Sequence, residues 1–174
     1  MQVKLIILNG PSGVGKSTIA ARLHQEMPSS VLIDIDALRR EVMPNFREHR
    51  EESLKLAYEH AGSTIGEYLK GGHDVIVDKA ILDTHVVASF VAVGRKNGAE
   101  IHEFILFANK ETVQKRADDR GYKPGGLLTH ERVGELWEQA NALRLQRPQA
   151  VVIDTSHLTL DEVFEDVRRN VFST

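Results

Sequence analysis

The run Gly10-Pro11-Ser12-Gly13-Val14-Gly15-Lys16-Ser17 sets two glycines, a lysine and a hydroxyl at the P-loop spacing G-x-x-x-x-G-K-S. Each residue type has chemistry to do at its place. The glycines let the backbone curl until successive N–H groups point inward at phosphate oxygens. Lys16 supplies a cation for the β- and γ-phosphates, and Ser17 is placed to ligate Mg²⁺ through its hydroxyl. Thr18 follows in the helix that opens at Lys16, and the N-terminal dipole of that helix adds to the cradle. Gly10 through Thr18 are therefore expected to hold ATP, with Mg²⁺. The plain alternative is a glycine-rich turn with an incidental Lys-Ser. An apolar run ahead of the motif and a helical pattern behind it speak against that.

Carboxylates and arginines recur later in the chain. In Leu32-Ile33-Asp34-Ile35-Asp36-Ala37-Leu38-Arg39, strand alternation predicts Asp34 and Asp36 on the same side. A carboxylate there can take the proton of an attacking hydroxyl, as phosphoryl transfer to an alcohol requires. The other role for such an Asp is to cap the helical stretch Ala37–Val42. Arg39 is spaced to hold an acceptor or the transferring phosphate. Asp74-Val75-Ile76-Val77-Asp78 has the Walker B form of apolar residues ending in Asp, which positions Mg²⁺; a turn or capping Asp is the alternative. Asp83 and His85 lie just beyond, on the side where an acceptor would sit. Arg116 and Arg120, four apart on one helix face, lead into the Gly-rich segment Gly121–Leu128. They suit a lid, Arg116 toward the base and Arg120 onto the phosphates. Surface ion pairs with Asp118 and Asp119 are the blander reading.

The elements that must position these groups alternate between short apolar strands and amphipathic helices, the pattern of a parallel sheet wrapped by helices. Strands are predicted at Val3–Leu8, Val31–Ile35, Asp74–Asp78, Ile101–Phe107 and Ala150–Asp154, all buried on both faces. Helices are predicted at Lys16–Glu26, Arg50–Lys70, Thr84–Asn97, Lys110–Asp119, His130–Gln146 and Leu160–Asn170, the last with Thr159 and Glu162 spaced as a capping box. Parallel strands end at one edge, so the segments 9–17, 34–39, 78–83 and 154–157 should converge. Trp137 lies at core spacing with Val133, Leu136, Ala140 and Leu143, which assigns it to packing. Arg144 and Arg147 close the same helix, where cations meet the C-terminal dipole.

Bulk composition narrows the function classes. The 22 Lys plus Arg against 25 Asp plus Glu leave no overall field for gripping nucleic acid non-specifically. The chain contains no cysteine, which excludes disulfides, thiolate metal sites and thiol nucleophiles. The eight histidines show no metal spacing. The first apolar run is too short to span a bilayer and lacks the form of a signal peptide, so a cytoplasmic protein is expected, without a membrane partner.

Several of these segments together resemble a family. Ile6-Ile7-Leu8-Asn9-Gly10 entering the P-loop, Ile35-Asp36-Ala37-Leu38 followed by Met43-Pro44, the Walker B strand, and Ile153-Asp154-Thr155-Ser156-His157 resemble chloramphenicol phosphotransferase over most of the chain. The resemblance implies an adenylate-kinase-like P-loop fold with a five-stranded parallel sheet in the order 2-3-1-4-5 and a small lid. It implies Asp36 as the base that activates the acceptor hydroxyl. The Arg116/Arg120 spacing resembles the lid arginines of adenylate kinases, which would place Thr155–His157 beside the adenine. Asp36-x-x-Arg39 also resembles the phosphoacceptor motif of polynucleotide 5′-kinases, although the antibiotic kinase does not carry that Arg in the same way. The P-loop string is similar to that of guanylate kinases, but no Thr-Thr-Arg segment of their GMP site accompanies it.

The resulting expectation is one P-loop kinase domain over residues 1–174, with a lid at about 116–130. It would move the γ-phosphate of ATP to a hydroxyl of a small, antibiotic- or metabolite-like molecule. Lys16, Asp36, Arg39 and Arg120 would act in catalysis, Ser17 and Asp78 at the metal. Two alternatives stand beside it. A polynucleotide 5′-hydroxyl kinase would need the basic groove that Arg39, Arg40, Arg47 and Arg50 begin and Glu41, Glu48, Glu51 and Glu52 dilute. A non-catalytic ATP-binding switch would have no use for the Asp36–Arg39 pair.

Overall fold

The computed structural model describes residues 2–173 apart from Gly125 and Leu127. The strands are β1 (Lys4–Asn9), β2 (Val31–Asp34), β3 (Val75–Asp78), β4 (Glu100–Phe107) and β5 (Val151–Asp154). The helices are α1 (Lys16–Glu26), α2 (Ile35–Val42), α3 (Arg50–Lys70), α4 (Thr84–Lys96), α5 (Lys110–Arg120), α6 (His130–Gln146) and α7 (Leu160–Phe172). All strand pairs are parallel, and the order is β2-β3-β1-β4-β5, as the family resemblance implied.

Hydrophobic burial sets this order. β1 lies at the centre, and Leu5, Ile6, Ile7 and Leu8 are fully buried. Alternation sends Ile6 and Leu8 into a cluster with Ile19, Leu23, Val163 and Val167 from α1 and α7. Leu5 and Ile7 go to the opposite face, against Ala57, Ala61, Ile65 and Phe90 from α3 and α4. β5 departs from the expected two-sided burial. It pairs on one side only, and Val151 and Val152 are exposed while Ile153 alone of the three is buried.

The second strand differs in a way that matters for the site. It ends at Asp34, and Ile35 already belongs to α2. The Asp34 carboxylate accepts hydrogen bonds from the Asp36 and Ala37 N–H groups at 2.8 and 3.1 Å, which starts the helix. Strand alternation therefore does not relate Asp34 to Asp36. α7 opens with the expected capping box, Thr159 and Glu162 each accepting from the other's backbone N–H. No described helix is long and apolar enough to cross a membrane.

Candidate active site

The parallel sheet brings the C-terminal ends of its strands to one edge, with Leu8 and Asp34 both in register with Asp78. At that edge the chain leaves β1 through Gly10, whose φ of 131° no side-chain-bearing residue adopts easily. A Cβ there would stand 2.0 Å from the Leu106 carbonyl oxygen, so the turn presses directly on β4. Buried Asn9 locks the turn. Its Oδ1 accepts from Gly10 N at 2.7 Å and Ile81 N at 2.9 Å, and its Nδ2 donates to the Ile81 carbonyl at 2.9 Å. The loop ends at Gly15, which offers α1 no side-chain cap, and the first turn of α1 carries no acidic residue. Its N–H groups are left for an anion.

Lys16 reaches back over the loop and donates to the Pro11 carbonyl at 2.8 Å. Burial pulls its ammonium down to about 8 from an ordinary 10.5, partly offset by the Asp78 carboxylate, with Lys79 pushing down and Asp36 pushing up. Asp78 closes β3 opposite it. Burial raises the Asp78 carboxyl, the Ser17 hydroxyl and Lys16 counter this, and Asp34 and Asp36 add to the rise. A carboxylate crowded by other carboxylates and bonded to a hydroxyl suits a hard divalent cation, which removes the repulsion. Among the described residues no group of three or more acidic or histidine side chains forms a complete metal cage. Ser17 and Asp78 therefore fit the Mg²⁺ pattern in which phosphate and water supply the remaining ligands.

Asp36 stands in the first turn of α2, with its side chain about half exposed. The capping role considered for it belongs to Asp34, which leaves the Asp36 carboxylate for other use. It is ion-paired through Oδ1 with Lys79, the residue directly after Asp78. Asp83 likewise acts as a cap, accepting from His85 N at 2.8 Å, and His85 itself is exposed. Arg39 is buried rather than open to a ligand. Its Nε donates to Ser53 Oγ at 2.9 Å and its Nη2 to the Arg50 carbonyl at 2.6 Å, tying α2 to α3. Its charge still reaches Tyr58 on α3. Burial pushes the Tyr58 hydroxyl far above its ordinary range, Asp36 and Asp83 push it the same way, and Arg39 opposes them.

On the other flank, α5 lays both of its arginines toward the cradle. Arg120 Nη2 donates to Ser12 Oγ in the P-loop at 3.3 Å. Arg116 donates to Thr155 Oγ1 at 3.1 Å and to the Thr155 carbonyl at 2.7 Å, just after β5. The aspartates between them do not compete for these arginines. Asp118 accepts from the Tyr122 hydroxyl at 2.6 Å and pairs with His130 at 3.0 Å, and Asp119 pairs with Lys115 at 3.3 Å. Of the segment 121–128 expected to form the mobile part of the lid, Gly125 and Leu127 lie outside the described residues. Trp137 packs as expected, 5.3 Å from the Phe107 ring, and donates from Nε1 to the Ala108 carbonyl at 2.8 Å. Arg147 does more than meet a helix dipole: it forms a buried bidentate pair with Glu103 at 2.8 and 2.6 Å.

From the sequence alone, Asn9 has only a place in the family resemblance, Tyr58 is one polar group in the helical region on the acceptor side, and Lys79 has no role. Lys79 is a lone cation after the Walker B strand, and only its adjacency to Asp78 marks it.

Fold and cradle together define a P-loop nucleotide-binding domain of the kinase-like architecture. A family model described as AAA domain matches residues 5–135, and the chain belongs to that family. No curated protein matches the sequence significantly. Among solved structures, the chain is similar to a tunicamycin resistance protein from Deinococcus radiodurans, with 22% identity, 98% of this chain and 96% of that one covered, and a TM-score of 0.66. It is similar to a gluconokinase from Sinorhizobium meliloti at 17% identity, with 95% and 89% covered and a TM-score of 0.66. A shikimate kinase from Bacteroides thetaiotaomicron matches at 14% identity, with 98% and 99% covered and a TM-score of 0.66. At such identities the likeness is one of fold.

Proposed function

We propose that this protein is an ATP-dependent phosphotransferase acting on a hydroxyl of a small molecule. The observation that carries the proposal is the meeting of Lys16, Asp78 and Asp36 at one sheet edge, close enough for both carboxylates to act on the Lys16 ammonium. A phosphate cradle alone suits any nucleotide-binding protein. A carboxylate beside it that is not spent on capping a helix is what transfer to an alcohol needs in addition.

In this reading the loop N–H groups and Lys16 hold the donor phosphates, and Ser17 with Asp78 holds Mg²⁺. The bound ion would neutralise charge on the phosphates. Asp36 accepts the proton of the acceptor hydroxyl as that oxygen bonds to the γ-phosphorus and the bond to the ADP oxygen breaks. Arg120 covers the γ-phosphate, and Arg116 with Thr155 borders the base. Arg39 acts by its charge through Tyr58 rather than by grasping the acceptor. The whole chain serves as one domain, with a lid at about 116–130 that includes Arg116 and Arg120. Neighbours named for gluconate, shikimate and an antibiotic support a polar, hydroxylated acceptor. The polynucleotide alternative loses support from the burial of Arg39, which removes the first residue of its basic groove.

The test is acceptor-dependent ADP formation with Mg²⁺, over a panel containing gluconate, shikimate, tunicamycin, chloramphenicol and a 5′-hydroxyl oligonucleotide. One small hydroxyl compound should stimulate turnover, and Asp36→Asn should lower kcat by about 100-fold or more while ATP binding persists. Turnover that survives Asp36→Asn would remove Asp36 from the chemistry. Stimulation by the oligonucleotide alone would reverse the choice of acceptor.

A further inference from the structure

We infer that Lys79 is a positioning residue that fixes the Asp36 carboxylate for proton transfer, an inference that rests on the function proposed above. Asp36 projects from the first turn of a short helix and is 53% exposed, so its own element does little to hold its side chain in one rotamer. Its backbone N–H is already used by the Asp34 cap. A base in that state samples several orientations, and misplacement by about 1 Å can cost on the order of 100-fold in rate.

Lys79 has the opposite character. Its side chain is only 14% exposed, and it leaves β3 directly after Asp78. Its N–H donates to the Leu8 carbonyl at 3.4 Å, extending the β1–β3 ladder by one residue. Two residues on, Ile81 is held at both its N–H and its carbonyl by Asn9. The Lys79 backbone is therefore pinned on either side to the strand that feeds the P-loop. Its ammonium pairs with Asp36 Oδ1, which leaves Oδ2 to face an acceptor hydroxyl.

Two other roles for Lys79 were open. As a phosphate ligand it would act beside Lys16, whose ammonium it already repels. As a fold-stabilising pair it would add little, because the Asp36 side is solvated. The pairing with one carboxylate oxygen of the proposed base favours positioning over both.

The test reads the contact and its consequence separately. In protein labelled with ¹³C at aspartate carboxyls, the resonance missing from Asp36→Asn identifies Asp36. Lys79→Met should shift and broaden that resonance in the absence of nucleotide, and Lys79→Arg should return it close to its native position. An unmoved resonance in folded Lys79→Met overturns the contact, whatever the protein's activity. With the stimulating acceptor, Lys79→Met should lower kcat by about 10-fold or more, leave the ATP KM within about twofold, and be rescued largely by Lys79→Arg. An unchanged kcat overturns the positioning role, and a matching loss of ATP affinity makes Lys79 a phosphate ligand instead. Lack of turnover in the native protein with every acceptor counts against the proposed function, and the resonance still decides the contact.

Discussion

At the scale of single residues, the site is organised by what burial does to charge. Burial keeps water from the Lys16 ammonium, and despite its hydrogen bond to the Pro11 carbonyl this pulls its pKa down to about 8. Below that pH the lysine is already charged and bound phosphate meets it directly. Above it, binding must first return a proton. Affinity for a non-hydrolysable ATP analogue should therefore hold steady from pH 6.5 to about 7.5 and fall above about 8, approaching tenfold per pH unit. Calorimetric titration in buffers of different ionisation heat checks this through proton uptake that is small at pH 7, reaches about half a proton near pH 8 and approaches one proton above about pH 9. Gly10 illustrates a purely steric constraint. Gly10→Ala places a methyl 2.0 Å from the Leu106 carbonyl oxygen at a φ of 131°. It should lower stability by about 3 kcal/mol or more, read by urea denaturation.

At the scale of elements, the sheet edge is assembled by contacts between segments remote in sequence. α5 is the clearest case, because Arg116 joins it to the turn after β5 and Arg120 joins it to the P-loop. Arg116→Ala removes two hydrogen bonds to Thr155 and leaves the P-loop intact. The expected outcome is a rise of about 10-fold in the ATP KM with kcat changed by less than about threefold. Steady-state kinetics at saturating acceptor would show it. Capping decided the course of α2 in the same way. Asp34 took the helix start, and Asp36 was thereby released to the cleft.

At the scale of the whole molecule, two hydrophobic layers clasp the sheet, and Glu103 and Arg147 form an ion pair buried beside them. Glu103 on β4 and Arg147 after α6 expose only 5% and 10% of their side chains. Removing one partner leaves the other charged and dry. Arg147→Met should cost about 3 kcal/mol, and the combined change with Glu103→Leu should recover most of it. Thermal melts of the two single variants and the double variant form the cycle. Recovery without loss of ATP binding would show that the pair serves the fold and not the site.

The sequence by itself determined the P-loop, the parallel α/β class, the helix boundaries to within a few residues and the place of Asp78 at the end of an apolar strand. These depend on local pattern: periodicity, glycine spacing and apolar runs act over a few residues, and neighbours in sequence are enough to read them. It also contained Asp36, although through a strand alternation that the structure replaced with a helix start. Tertiary structure alone decided that Asp34 and not Asp36 caps the helix, that Arg39 turns inward to Ser53 rather than outward to a ligand, and that Lys79 meets Asp36 across 43 residues of chain. The reason is physical. A side chain's partner is chosen by competition among all groups that folding brings within reach, and those distances do not exist until the strands have taken their order.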